Sequence, residues 1–128
     1  MKLLLDTQLL LWAAASPAKL PLPARRLLKD PQNELIFSAA SLWEVAIKSD
    51  LGRKDFQVDA SLLRRGLLDN GYQELAISSA HAVAVKGLPL IHKDAFDRIL
   101  VAQSMVEGIT FLTTDSTIAK YGATIRKM

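Results

Sequence analysis

Three consecutive leucines, Leu3-Leu4-Leu5, stop abruptly at Asp6, and a second apolar run with helical spacing starts directly behind it. A short apolar run without polar alternation fits a strand covered on both faces, as in the middle of a parallel sheet. Open sheets of this kind gather their binding residues beyond the carboxyl ends of the strands, which is where Asp6 stands. Asp6 also has a plainer role open to it as N-cap of the following helix. Both readings stand until other carboxylates are placed.

The same alternation continues along the chain. After the helix expected over Thr7 to Ala15, Pro17, Pro21 and Pro23 mark a loop or short helical turns, and Ala24 to Lys29 reads as a helix. Asp30-Pro31-Gln32-Asn33 is a turn, and Glu34 to Phe37 is a second strand. Ser38 and Ser41 are candidate caps for the helix carrying Leu42, Val45, Ala46 and Ile47, which Gly52 ends. A helix over Ala60 to Leu68 precedes a third strand, Glu74 to Ile77. Ser78-Ser79 then caps a helix reaching Lys86. Asp94 caps a long, nearly all-apolar helix, Ala95 to Glu107, which Gly108 stops before a fourth strand, Ile109 to Leu112. Asp115 opens a last short helix, and Ala123 to Arg126 is expected as an edge strand. Strands alternating with helices point to an α/β fold, a mostly parallel sheet of four to five strands covered on both faces.

Composition narrows the chemistry. At 128 residues the chain has the size of one domain, and the expectation is a single domain over residues 1–128. Without cysteine there are no disulfides and no thiolate metal sites. The net charge of +3 and pI near 9.3 permit polyanion binding, but the basic residues are scattered and do not form a polybasic tail. Met1-Lys2, the leucines and Ala13-Ala14-Ala15-Ser16-Pro17-Ala18 superficially resemble a secretory signal. Asp6 and Gln8 divide the apolar part below the length such a signal needs, so a cytoplasmic protein without a membrane span is expected.

Three further acids are candidates to join Asp6. In a parallel sheet the strand ends share one edge and the following helices begin there, which places Asp115 behind the fourth strand and Glu44 in the first turns after the second. Gly108 turns the long helix back on its strand. From Ile109 to Asp97 is about 18 Å of helix, and from Ile109 to Asp115 about 20 Å of strand, so the two acids reach the same height. Each acid keeps a local alternative. Asp6 and Asp115 suit helix caps, Ser41 and Glu44 form an S-x-x-E capping box, and Glu44 can pair with Lys48. Asp97 resists such dismissal, because it lies among Phe96, Ile99, Leu100 and Val101, and its remaining local option is a pair with Arg98. Four clustered carboxylates repel one another unless a divalent cation offsets them, and hard oxygen ligands favour Mg²⁺ or Mn²⁺. Such a site supports attack of metal-activated water on a phosphodiester.

These residues resemble a PIN-domain ribonuclease, specifically the toxin of a VapBC-type toxin–antitoxin pair. The resemblance rests on Leu3-Leu4-Leu5-Asp6-Thr7, on Ser38 to Lys48, on His92 to Gln103 and on Leu112-Thr113-Thr114-Asp115. It implies a three-layer α/β/α sandwich and a Mg²⁺- or Mn²⁺-dependent endoribonuclease whose acids fall on Asp6, Glu44, Asp97 and Asp115. It further implies an RNA substrate, homodimerisation and a cognate antitoxin whose C-terminal segment blocks the active site. Gln8 stands where relatives often carry histidine, and Ala95 where they often carry proline. Thr113 is expected to orient ligands or water, and Asp94 to act as a cap or outer acid. Lys48, Lys93 and Arg98 are candidate phosphate contacts, with ion pairing to Glu44 or Asp94 as the alternative. His81 is expected on a helix surface, His92 in a loop where it at most touches substrate, and Trp12 and Trp43 in the core or an interface. Two other functions compete: an aspartyl-phosphate phosphatase or receiver-like domain using Asp6 as nucleophile, and a non-catalytic PIN-like module that binds a partner.

Overall fold

The computed structural model of the chain describes residues 1–54, 56–122 and 124–128. In chain order its elements are β1 (Lys2–Leu5), α1 (Thr7–Ala15), α2 (Leu22–Lys29), β2 (Glu34–Ser38), α3 (Ala39–Asp50), α4 (Ala60–Asp69), β3 (Gln73–Leu75), α5 (Ser79–Ala84), α6 (Ala95–Glu107), β4 (Thr110–Thr113), α7 (Ser116–Ala119) and β5 (Ile125–Lys127), with 3-10 turns at Pro17–Lys19 and Val85–Gly87. The strands form one parallel sheet in the order β3-β2-β1-β4-β5. β1 is central, with Leu4 opposite Ile36 on one side and Phe111 on the other.

Because successive side chains of a strand point to opposite faces, the leucines of β1 are divided between two cores. Leu3 and Leu5 pack with Leu9, Leu10, Ala24, Leu63 and Leu67 beneath α1, α2 and α4. Leu4 packs with Leu100, Val101, Ala102 and Ile118 beneath α6 and α7. The result is the expected three-layer α/β/α sandwich. The strand order reverses between β1 and β4, so a crevice opens beyond their carboxyl ends. The amide of Asp6 donates to the carbonyl of Leu112 (3.0 Å), which ties the two strand ends together. Gly108 ends α6 in the left-handed region (φ 66°), a conformation glycine adopts without a Cβ clash, and turns the chain directly into β4.

Several boundaries differ from expectation for local reasons. α2 starts at Leu22, because Pro23 falls in the first turn, where a missing N–H costs nothing. β3 stops at Leu75, since the Ala76 carbonyl accepts from the Gln103 side chain (3.4 Å). The helix expected to run to Lys86 ends at Ala84 and continues as a 3-10 turn. The edge strand is Ile125–Lys127, and Ala123 lies outside the described residues. Ser38 caps α3 by accepting from the Ala40 amide (3.0 Å), while Ser41 lies inside the helix and accepts from the Thr7 hydroxyl (2.9 Å). The Ser41–Glu44 capping box is therefore not formed. His81, expected at the surface, is 2% exposed: Nδ1 accepts from the Ser78 amide and Nε2 lies 2.9 Å from Glu107 Oε2. Among the described residues no helix is long and apolar enough to cross a membrane.

Candidate active site

Asp6 and Asp115 occupy matching positions, each one or two residues past a central strand and each the N-cap of the next helix. Asp6 Oδ1 accepts from the Leu9 amide (2.8 Å), and Asp115 Oδ1 from the amides of Thr117 and Ile118 (2.7 and 3.2 Å). The capping and site readings are thus compatible, because capping occupies one oxygen of each carboxylate. Thr113, fully buried at the end of β4, links the pair. Its hydroxyl donates to Asp6 Oδ2 (2.6 Å) and accepts from the Asp115 amide (3.0 Å). Glu44 enters from the second turn of α3 and Asp97 from the first turn of α6.

All four acids line one cleft of about 340 Å³, together with Thr7, Gln8, Leu11, Lys48, Phe56 and Thr114. His92, which is not among the residues lining the cleft, joins Asp97 and Asp115 in a cluster with one ligand atom from each within 4.8 Å of the others. Asp6 and Glu44 stand outside that trio. Asp6 is only 5% exposed, and burial pushes its carboxyl up against the opposing bonds from Thr113 and the backbone. Burial raises Asp97 further, to about 7, aided by the negative charges of Asp94, Glu44 and Asp6 and opposed by His92. Glu44 Oε2 pairs with Lys48 Nζ at 2.7 Å across one helical turn. Its Oε1 is buried and has no hydrogen-bond partner among the described residues.

The remaining candidates divide. Lys48 lines the cleft and is half exposed, so its pairing with Glu44 leaves it at the mouth. Asp94 caps α6 through the amides of Phe96 and Asp97. Lys93 is exposed. Arg98 is committed elsewhere: its guanidinium donates to the carbonyls of Val85 and Leu88 (3.1 and 3.4 Å), so its contacts are neither the phosphate contact nor the Asp97 pair. His92 is the residue the sequence underrated. Its Nε2 lies 3.1 Å from Asp97 Oδ2 and 3.6 Å from Asp115 Oδ2. Only its place two residues before the cap of the Asp97 helix signalled this.

The arrangement suits a divalent cation. Four carboxylates face a single cationic side chain, Lys48, among the described lining residues. One carboxylate oxygen is buried without a donor, and the Asp97 carboxyl is raised to about 7 by burial and by the neighbouring negative charges. A cation bound by Asp6, Glu44, Asp97 and Asp115 would relieve both.

Comparison with known proteins agrees with this frame. Curated proteins include no significant sequence match. Among solved structures, the chain is similar to one in the VapBC2 complex of Rickettsia felis bound to a promoter DNA fragment, with a TM-score of 0.73, 13% identity and coverage of 99% of this chain and 98% of that one. A toxin–antitoxin complex from Klebsiella pneumoniae gives 0.63 at 17% identity, covering 97% and 95%. VapBC-1 from nontypeable Haemophilus influenzae gives 0.61 at 16% identity, covering 99% and 98%. At these identities the likeness is one of fold. The sequence itself matches the PIN domain family model over residues 3–123, nearly its whole length. With the sheet order, the carboxylate cleft and that match in agreement, the chain belongs to the PIN domain family.

Proposed function

We propose that residues 1–128 act as a single PIN domain, a Mg²⁺- or Mn²⁺-dependent endoribonuclease that serves as the toxin of a type II toxin–antitoxin pair in the cytoplasm. The observation that carries this reading is the convergence of Asp6, Glu44, Asp97 and Asp115 on one cleft with a buried, donor-less oxygen on Glu44. A bound divalent cation supplies Lewis-acid charge and lowers the pKa of water at neutral pH. The chain's own groups do the rest. Thr113 fixes the Oδ2 oxygen of Asp6, and Asp97, whose carboxyl burial raises to about 7, would join Asp6, Glu44 and Asp115 in holding the cation as a carboxylate. Lys48 offers an ammonium group at the mouth to a substrate phosphate.

Partners follow the same support. The similar structures are toxin–antitoxin complexes, which favours an antitoxin whose C-terminal segment covers the cleft. Trp43 and Ile47 of α3 and Leu51 at its C-cap lie exposed at four-residue spacing, an apolar stripe suited to a homodimer contact. Two observations weigh against the receiver-like alternative. Position 8, two residues after Asp6, is Gln8 and not a second Asp, and the fourth strand ends on Thr113 and not on a lysine.

Incubating the purified chain with RNA and Mg²⁺ or Mn²⁺ tests the proposal. Cleavage is expected, lost with EDTA and lost in Asp6→Asn and Asp97→Asn variants that retain wild-type circular dichroism. Undiminished cleavage by either folded variant overturns the assignment, and metal binding without any cleavage favours a non-catalytic module.

A further inference from the structure

We infer that His92 is a positioning residue for the carboxylate cluster, its Nε2–H set as an electrostatic partner beside the Oδ2 oxygens of Asp97 and Asp115 (3.1 and 3.6 Å) without itself ligating the cation. The inference rests on the cation-site reading above.

The ring's tautomer follows from its neighbours. The Asp94 amide donates to His92 Nδ1 at 3.2 Å, and a nitrogen that accepts a hydrogen bond carries no proton of its own. The neutral ring therefore keeps its proton on Nε2, the nitrogen that lies 3.1 Å from Asp97 Oδ2 and 3.6 Å from Asp115 Oδ2. An N–H placed between two carboxylates offsets their mutual repulsion. To become a ligand, Nε2 would have to lose that proton. The ring would then carry it on Nδ1, directly opposed to the Asp94 N–H.

The backbone that carries the ring is also held in place. The His92 amide donates to the Tyr121 hydroxyl (2.8 Å), which donates back to the His92 carbonyl (3.3 Å), and Tyr121 is buried. The Asp94 amide that sets the tautomer belongs to the residue capping α6, so the donor and Asp97 share one rigid frame. Supporting donors of this kind orient metal-binding groups, and losing one typically weakens metal binding about 10–100-fold.

The test uses the full chain and Mn²⁺ as the probe. His92→Ala is expected to weaken Mn²⁺ binding about 10–100-fold. His92→Gln, whose amide N–H reaches about as far as Nε2–H, is expected to recover most of that loss. Pulsed electron paramagnetic resonance of Mn²⁺-loaded wild type should show no imidazole nitrogen coupling beyond that of His92→Gln. In the metal-free protein, long-range proton–nitrogen correlation should find the proton on Nε2. An imidazole coupling that disappears in His92→Gln makes the residue a ligand and overturns the inference. Unchanged binding by His92→Ala, a glutamine variant as weak as alanine, or a proton on Nδ1 overturns it equally. Failure of the wild type to bind Mn²⁺ is seen before any variant is made, and removes the cation-site reading together with this one.

Discussion

Replacing Asp97 by asparagine should stabilise the metal-free protein at alkaline pH while abolishing activity. The unfolded carboxyl titrates near 3.8, the folded one at about 7, mainly because of burial and then the nearby charges of Asp94 and Glu44. Between those values the unfolded state has released its proton and the native state has kept it, so the native state binds more protons and stability falls as pH rises. The loss is absent below about pH 4 and complete above about pH 7. At 1.36 kcal/mol per pH unit the difference has an upper bound of about 4 kcal/mol. One fifth of the side chain is exposed, and solvent screening reduces the effect to about 1–3 kcal/mol. Asparagine resembles the protonated acid and carries no such dependence. In EDTA at pH 8, Asp97→Asn should therefore melt roughly 4–12 °C above wild type, given about 4 °C per kcal/mol for a domain of this size. At pH 4 the two should coincide. Adding Mn²⁺ at pH 8 should stabilise wild type and barely shift the variant. Thermal unfolding at both pH values with EDTA or Mn²⁺ measures all of this. A variant no more stable than wild type at pH 8 in EDTA would refute the claim that Asp97 is held in an uncompensated acidic site.

Two other substitutions probe the frame. Thr113→Val keeps the shape but removes the hydroxyl between Asp6 and Asp115, and should cost about 1–3 kcal/mol in urea unfolding by leaving a buried acceptor unpaired, with weaker Mn²⁺ binding by calorimetry. Leu4→Ala, at a fully buried position in the central strand, should cost about 2–5 kcal/mol in the same unfolding assay, without altering which metal ions bind.

Much of this architecture was legible because its signals are local. Leu3-Leu4-Leu5 could not alternate and so had to be inner, and Ala95–Glu107 lay between an aspartate cap and a glycine stop that the structure places at the same residues. The convergence of the acids was expected from the shared edge of a parallel sheet, with helix and strand rise bringing Asp97 level with Asp115. What stayed hidden depends on contacts distant in sequence. His81 is buried because Glu107, 26 residues away, meets its outer nitrogen. Ser41 forms no capping box with Glu44 because α3 already starts at Ala39 with Ser38 as its cap, and Ser41, inside the helix, meets the Thr7 hydroxyl of α1 instead. His92 enters the cluster because Tyr121 anchors its loop, which no spacing rule reveals. Arg98 illustrates the reverse failure, in which a cation beside a site acid offers a phosphate contact or an ion pair and makes neither. Its stem carries the guanidinium to two loop carbonyls, where it holds the Val85–Leu88 segment against α6.

Asp6, Glu44, Asp97 and Asp115 are proposed to form one cation site. Anomalous diffraction from crystals of the full chain soaked in Mn²⁺ tests it most directly. A manganese peak is expected in the cleft lined by the four carboxylates, beside the Glu44 oxygen that lacks a donor, and lost in Asp97→Asn crystals. A cleft that stays empty at saturating Mn²⁺, or a peak that persists unchanged in the Asp97→Asn protein, would contradict it.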